Sequence, residues 1–336
     1  MQATIIGAGV AGLTCALELA RRGVAVEVLE RRPQLAGGGC SWFAGGMLAP
    51  WCEREGSEAL IAQLGAESLS WWRENFPQTV VNGTLVVAHS RDTGELAHFG
   101  RRTAHFEVLS SEAIAALEPE LAGRFAQGLY FAAEGHLDPR AALAHLAAAL
   151  TQLGVRIRFG VEVSPAMPSG RAVIDCTGLA ARNRLTDLRG VKGEMLLVRL
   201  KEFALERPVR LLHPRVPVYV VPRANGLFMV GATTIESDEG MRVSVRSLLE
   251  LLSAAYALHP AFGEAEVVEI GTGVRAAFPD NLPHLRRQEG RLYVNGLYRH
   301  GFLLAPALAR RVAAVLLEGG HFPEVMHEDS RERRLA

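Results

Sequence analysis

Three groups of residues in this chain have types and spacings that could do chemistry. The first is Gly7, Gly9 and Gly12, a G-x-G-x-x-G between the apolar run Ala3 to Ile6 and the helix-like "GVAGLTCALELARRG", with Glu30 closing the next strand-like run "VAVEVLE". In a strand, helix, strand unit of this size the first glycine allows the tight turn, the second lets backbone approach a pyrophosphate, and the third lets helix pack on strand. The helix N-terminus adds free amides and a positive dipole end. An acidic residue about twenty positions on can accept hydrogen bonds from a ribose. A glycine-rich turn with a surface glutamate is the plainer alternative, and the flanking strand and helix disfavour it. Glu30 favours an unphosphorylated ribose, since a 2′-phosphate would meet a carboxylate, which argues against NADP.

The second group is "CSWFAGGMLAP", Cys40 to Pro50. Gly45 and Gly46 lack Cβ atoms, so their backbone could lie against a planar ring with its amides facing ring heteroatoms. Trp42 and Phe43 read as packing. The third group is Arg275 in "TGVRAAF", Arg299 in "NGLYRHGFLLAP", and Tyr219 in "VPVYVVP". A planar guanidinium binds a carboxylate bidentately, as Lys cannot. Among apolar neighbours Arg275 needs a partner or a ligand. The bland readings are a structural ion pair for Arg275, stacking on Tyr298 for Arg299, and core packing for Tyr219. For His300, the one histidine in this set, a loop residue turned to solvent is favoured over a catalytic base.

These groups need a scaffold, and 336 residues suit two lobes or one large lobe with an insertion. Lys+Arg and Asp+Glu both number 36, so no net field recruits nucleic acid or an anionic membrane. Small, nearly neutral ligands are expected. Cys15, Cys40, Cys52 and Cys176 show no CxxC pair and no metal-ligand spacing, so a reduced protein without a metal site is expected. The N-terminus has no basic and apolar leader pattern, and no run reaches the roughly 18 apolar residues of a membrane helix, which predicts a soluble, cytoplasmic protein.

The patterning predicts a helix over 57–76, a strand in "VNGTLVVA", and a loop or partner-facing helix from Arg91 to Arg102. A helix capped by Asp138 with Pro139 in its first turn follows, then strands in "VRIRFGVEV" and "AVIDCTG". After Gly190 strand-like runs dominate, with "RANG" as a hairpin turn, one amphipathic helix over 243–258, and a final strand, glycine-bearing loop and long helix. The expected fold is α/β with an α+β second lobe. Its discontinuous Rossmann-like dinucleotide lobe takes residues 1–76, 136–190 and 272–336, and an antiparallel-sheet substrate lobe takes 77–135 and 191–271. The chain leaves successive βα units at Arg32, unlike a plain NAD dehydrogenase, and "NGLYRHGFLLAP" could bring backbone amides to a flavin.

Together the glycine motif, "SWFAGGMLAP", "RGVKGEMLLV", "VYVVPRANGLFMVGAT", "GTGVRAAFPDNLP" and "GLYRHGFLLAPALA" resemble the FAD-dependent D-amino acid oxidase family along nearly the whole chain. The resemblance is strongest to its glycine-oxidising members, which supply the imine of glycine for the thiazole of thiamin. It implies FAD, with Gly7, Gly9, Val10, Ala11 and Gly12 at the pyrophosphate and Glu30 and Arg31 at the adenosine ribose. Val163 would meet the adenine. Cys40, Ser41, Gly45, Gly46 and Met47 would line the flavin, as would the loop Leu297, Tyr298, Arg299, His300, Gly301, Phe302 and Leu303. Arg275 would clamp the substrate carboxylate, with Tyr219 beside it and Arg299 reaching the substrate side.

The implied reaction passes a hydride from a neutral amine to the flavin without a catalytic base, and oxygen then leaves as hydrogen peroxide. Pro217 and Thr234 stand where those members carry His and Met, so glycine, sarcosine and small D-amino acids are all open as substrates. No cysteine falls in the C-terminal third, which predicts non-covalent FAD. The family implies a homo-oligomer, a homotetramer in related oxidases. A dehydrogenase passing electrons to a quinone or protein, and a flavin-binding protein without turnover, are the alternatives.

Overall fold

The computed structural model describes residues 1–35, 38–163, 170–213, 216–240 and 242–326. Its first elements are β1 (Gln2–Ile6), α1 (Val10–Arg21) and β2 (Ala25–Glu30), and the two strands pair in parallel from Gln2 with Ala25 to Ile6 with Leu29. Next come β3 (Met47–Leu48), α2 (Pro50–Arg54), α3 (Ala59–Asn75), β4 (Thr84–Ala88), α4 (Thr93–Arg101), β5 (Glu107–Ser110), α5 (Ser111–Leu117), β6 (Gln127–Phe131) and β7 (Gly135–His136). α6 (Pro139–Gln152), β8 (Arg156–Phe159), β9 (Ala172–Asp175), β10 (Arg189–Arg199), β11 (Val209–Leu212), β12 (Val218–Pro222), β13 (Leu227–Gly231) and β14 (Ile235–Glu236) follow. The chain continues through α7 (Val245–Leu258), β15 (Glu266–Ala277), β16 (His284–Gln288), β17 (Arg291–Asn295) and α8 (Gly301–Leu317).

Among the described residues, six strands form one sheet in the order β16-β17-β9-β1-β2-β8, parallel throughout except for the β16–β17 hairpin. A parallel sheet must be covered on both faces, and the helices here are correspondingly apolar. α1 packs against α6 and α8, and Leu13, Leu17, Trp72, Leu143, Leu304 and Leu308 are all buried in one core. The indole of Trp72 donates to the Phe302 carbonyl at 2.7 Å, tying α3 to α8. Asp138 caps α6 as its position before Pro139 predicts, its carboxylate accepting from the amides of Arg140 and Ala141. Such a cap stabilises a helix by about 1 kcal/mol.

The second sheet, of nine strands among the described residues, runs β14-β10-β13-β12-β11-β4-β6-β5, with β15 paired to β10. It is antiparallel apart from β11 beside β4. β10 and β15 stay paired from Arg189 with Ala277 to Arg199 with Glu266, so the sheet runs through the expected lobe boundaries at 190/191 and 271/272. α7 lays Leu251, Ala255 and Leu258 on this sheet against Leu196, Val220 and Val230.

Of the two alternatives for Arg91–Arg102 the helix is the one formed: α4 buries Leu96 and Phe99 against Val86 and Phe131. One local expectation is corrected. The strand in "VRIRFGVEV" stops at Phe159, because Gly160 turns at φ +71° and Val161 leaves β2 after one hydrogen bond to the Glu30 carbonyl. Among the described residues, no helix is long and apolar enough to cross a membrane.

Candidate active site

The glycine loop follows β1 directly. Gly7 has φ +100°, and a Cβ there would stand 2.8 Å from the Cys176 carbonyl oxygen, while a Cβ on Gly12 would overlap the carbonyl of Gly7. Both are demanded by backbone packing, and neither lines the cleft described below. Gly9 is different: its Cβ would meet only the Ser41 hydroxyl, at 3.3 Å, and it faces open space. α1 starts beside it with no side-chain cap and no acidic residue in its first turn, and the Val10 amide donates to Ser41 Oγ at 3.1 Å. An uncapped helix start of this kind fits a phosphate.

Glu30 is buried at the end of β2, its Oε2 accepting from the Ala8 amide at 2.8 Å and its Oε1 from the Arg32 amide at 2.9 Å. The carboxylate is thereby fixed beside the glycine loop, with acceptor capacity left on each oxygen. Arg31 is exposed, and it is Arg32 whose guanidinium returns to Glu30, at 3.8 Å. Val163 is half-buried, two residues past the Val161 contact with β2. None of Glu30, Arg31 and Val163 lines the cleft.

That cleft runs from the α1 start to β15. It is walled by Gly9, Val10 and Ala11, by Cys40, Ser41, Gly45, Gly46 and Met47, and by the whole loop Leu297 to Leu303, with Tyr219 and Arg275 at its charged end. Packing within the protein gives a further reason for two glycines. A Cβ on Gly46, which has φ +71°, would overlap the Leu137 carbonyl and press on Pro139, and a Cβ on Gly45 would stand 2.9 Å from the Tyr219 ring. Both glycines line the cleft, yet their missing side chains make room for the protein itself. Phe43 lines the cleft while packing with Met195 and Met229, and Trp42 lies under the Arg140 guanidinium at 4.7 Å. Cys40 and Cys176 also reach the cleft, so position in the chain does not keep thiols from it. Burial pushes the Cys40 thiol pKa up, which leaves a poor nucleophile.

At the charged end, Arg275 Nη1 donates to the Thr233 carbonyl at 3.1 Å, and among the described residues the guanidinium has no ion-pair partner. It packs over Gly193, where any side chain would overlap it. Arg299 does not stack on Tyr298; its Nη2 lies 3.5 Å from Glu53 Oε2. His300 is not turned to solvent. It is buried just before α8 with Nδ1 3.5 Å from the same Glu53 oxygen, and burial lowers its pKa to about 4 against the opposing pull of Glu53. Arg210, opposite Tyr219 in the β11–β12 register, reaches Glu53 Oε1 at 3.6 Å and Glu55 at 3.9 Å. Burial pushes Glu53 up, but Arg299, His300, Arg210 and Arg275 outweigh it and hold the carboxyl at about 2. Burial raises the Tyr219 pKa, so its hydroxyl stays protonated. Thr234 lines the cleft, whereas Pro217 is exposed and does not.

Glu53, Arg210 and Gly193 escaped the sequence reading. Arg210 carries the same signal as Arg275, an arginine inside an apolar strand run, "PVRLL". Glu53 has no such local mark.

A helix N-terminus without a side-chain cap, a fixed carboxylate one strand away, and a long backbone-walled cleft ending in a guanidinium that has no ion-pair partner among the described residues suit a dinucleotide cofactor with an anion beside it. The model of the FAD dependent oxidoreductase family, DAO, matches residues 2–315, and the chain belongs to that family. Among its relatives is a Rhizobium etli protein named for thiamine biosynthesis as the oxidoreductase ThiO, 56% identical over 325 residues, which are 96% of this chain and 99% of that one. A glycine oxidase of Geobacillus kaustophilus is 28% identical over 351 residues, covering 92% of this chain and 91% of its own. The crystal structure of glycine oxidase from Geobacillus kaustophilus superposes with a TM-score of 0.78 at 25% identity, covering 96% of this chain and 95% of that one. The chain is thus an FAD-dependent oxidoreductase with the mixed α/β fold of that structure.

Proposed function

We propose that this enzyme oxidatively deaminates glycine, releasing an imine that hydrolyses to glyoxylate and ammonia, and that it serves thiamine biosynthesis. The observation that carries the reading is Arg275, a guanidinium without an ion-pair partner among the described residues, at the head of a cleft that begins at the α1 N-terminus. Similarity to the named ThiO protein and to glycine oxidase supports the pathway and the substrate. Sarcosine and small D-amino acids belong to the same size class.

FAD when bound supplies the hydride acceptor and returns the electrons to oxygen as hydrogen peroxide. The chain's residues do the rest. Gly9, Val10 and Ala11 would hold the pyrophosphate at the helix start, and Glu30 the ribose. The Cys40–Met47 segment and the Leu297–Leu303 loop would hold the ring system. Arg275 binds the substrate carboxylate bidentately, and the protonated Tyr219 hydroxyl beside it donates a further hydrogen bond. His300, held neutral, adds no charge to the site, and no side chain is assigned as base.

FAD is held non-covalently, since Cys40 is kept as a thiol by burial; acid precipitation should leave all flavin in the supernatant. The protein is cytoplasmic and homo-oligomeric, a homotetramer as its resemblance implies. α7 leaves Val245, Leu249, Leu252 and Tyr256 exposed at spacings of four, three and four, a stripe that an antiparallel copy of α7 would match residue for residue. Light scattering on the holoenzyme checks this.

The deciding experiment is a peroxide-coupled panel of glycine, sarcosine, N-ethylglycine, D-alanine and D-proline. Glycine turnover with stoichiometric peroxide supports the proposal. Turnover with an artificial acceptor but no peroxide would replace the oxidase by a dehydrogenase, and no turnover with any of them would leave a flavin-binding protein.

A further inference from the structure

The cleft holds two guanidiniums at its substrate end, Arg275 and Arg299, but they are not equivalent. Among the described residues, Arg275 is bound only to the Thr233 carbonyl. Arg299 is committed to Glu53 at 3.5 Å. We propose that Glu53 restricts this enzyme to amino acids with a single carboxylate, by occupying the cation that a second substrate carboxylate would need. The inference rests on the amino acid reading of the site made above.

Glu53 is well placed for this role because it cannot withdraw. Its side chain is 13% exposed, and its other oxygen faces Arg210 at 3.6 Å. Its backbone lies in α2, whose Trp51 and Cys52 amides donate to the buried carboxyl of Glu134 at 2.9 and 2.7 Å. The charges facing Glu53 are Arg299, Arg210 and, through the cleft, Arg275, with His300 held neutral by burial.

A monocarboxylate substrate leaves this arrangement intact and takes Arg275. A dicarboxylate has to draw Arg299 away, leaving a buried carboxylate with one cation fewer, and has to bring its own second anion next to Glu53. Removing one partner of a buried ion pair is strongly unfavourable, and like charges repel across a poorly solvated gap. Glu53 therefore selects against the diacid more than it attracts the monoacid. It is a specificity residue that touches Arg299 and is assigned no part in the redox step.

The test uses FAD-loaded protein and two ligands that carry no amine to oxidise: methoxyacetate, with one carboxylate, and diglycolate, with two. Affinities come from isothermal titration and from competitive inhibition of glycine turnover. The wild type should bind diglycolate no more tightly than methoxyacetate. Glu53→Gln, which keeps the shape and removes the charge, should raise the diglycolate to methoxyacetate affinity ratio by about tenfold or more, the worth of a charge-assisted pair. Adding Arg299→Met to that variant should return the ratio to its starting value. If Glu53→Gln loses FAD or its fold, Glu53→Asp keeps the charge for Arg210 while retracting it from Arg299, and the ratio should rise in the same direction.

An unchanged ratio in a folded Gln or Asp variant overturns the inference, as does a gain that survives Arg299→Met. The underlying reading fails separately: wild type that binds neither ligand has no carboxylate site, and the inference falls with it. Wild type that binds methoxyacetate, and loses it on Arg275→Ala, keeps the reading and leaves the ratio to judge Glu53.

Discussion

The guanidinium of Arg275 packs so closely over the Cα of Gly193 that a Cβ added to Gly193 would overlap it. The two residues stand on paired strands, β15 and β10, and the contact fixes the height at which Arg275 enters the cleft. Gly193→Ala should push only the flexible end of Arg275, so folding survives. A displacement near 1 Å at a substrate clamp changes catalysis by up to about 100-fold. KM for glycine should rise roughly 10- to 100-fold with little change in Tm, and an unaltered KM in steady-state assays would refute the clamp.

Gly46 fails differently. Its φ of +71° and the Leu137 carbonyl against it leave no room for any side chain. Backbone strain of this kind costs about 1–3 kcal/mol before the overlap is counted. Gly46→Ala should lower the Tm of the apoprotein by several degrees, so cofactor loss follows from the fold. Normal apoprotein stability with selective FAD loss would restore a direct role against the flavin.

His300 predicts an acid-side limit. Burial lowers its pKa from 6.5 to about 4, with Glu53 opposing and the nearby arginines adding to the shift. Between those values the unfolded chain takes a proton that the folded one refuses, so stability is complete above pH 6.5 and falls as pH drops toward 4. Glu53 adds a second loss lower down, as pH falls from 4.5 toward 2. In thermal unfolding scans, His300→Gln should flatten the decline between pH 6.5 and 4 and leave the lower part in place.

Glu134 predicts the opposite slope. Its side chain is fully buried, one oxygen accepts from two α2 amides, and among the described residues the other has no hydrogen-bond partner. Burial raises its pKa to about 8, although the Cys52 and Trp51 amides oppose this. The folded protein thus holds a proton that the unfolded chain releases above pH 4.5, and stability falls as pH rises from 4.5 to 8. Glu134→Gln, a mimic of the protonated acid, should match wild type near pH 4.5 and exceed it by at least about 2 °C in Tm at pH 8. A constant difference across that range would show that the carboxyl does not titrate.

The dinucleotide loop was legible because everything it needs is local. A strand, three glycines at fixed offsets, a helix and an acid at the next strand end are all within thirty residues, and the structure places them so. The Asp138 cap was legible for the same reason. Arg275 and Tyr219 could be singled out from their apolar surroundings, but not the state of their charges. Whether an arginine is free or paired depends on what another part of the chain brings to it, and Arg275 and Arg299 look alike in sequence while differing in that respect.

Sequence by itself determined the strand, helix, strand unit with its glycine loop and the capped start of α6, since hydrophobic period and glycine placement act over a few residues, while the cofactor class and the cleft-walling segments came from the family resemblance. Only the tertiary structure decided that Gly45 and Gly46 yield to Tyr219 and Leu137, and that His300 is buried. It also decided that Glu53 from α2, Arg210 from β11 and the part-exposed Arg299 from the loop before α8 share one charge cluster. Those outcomes depend on packing between segments up to some 250 residues apart, where close contact and desolvation, rather than local propensity, set the charge and position of each group.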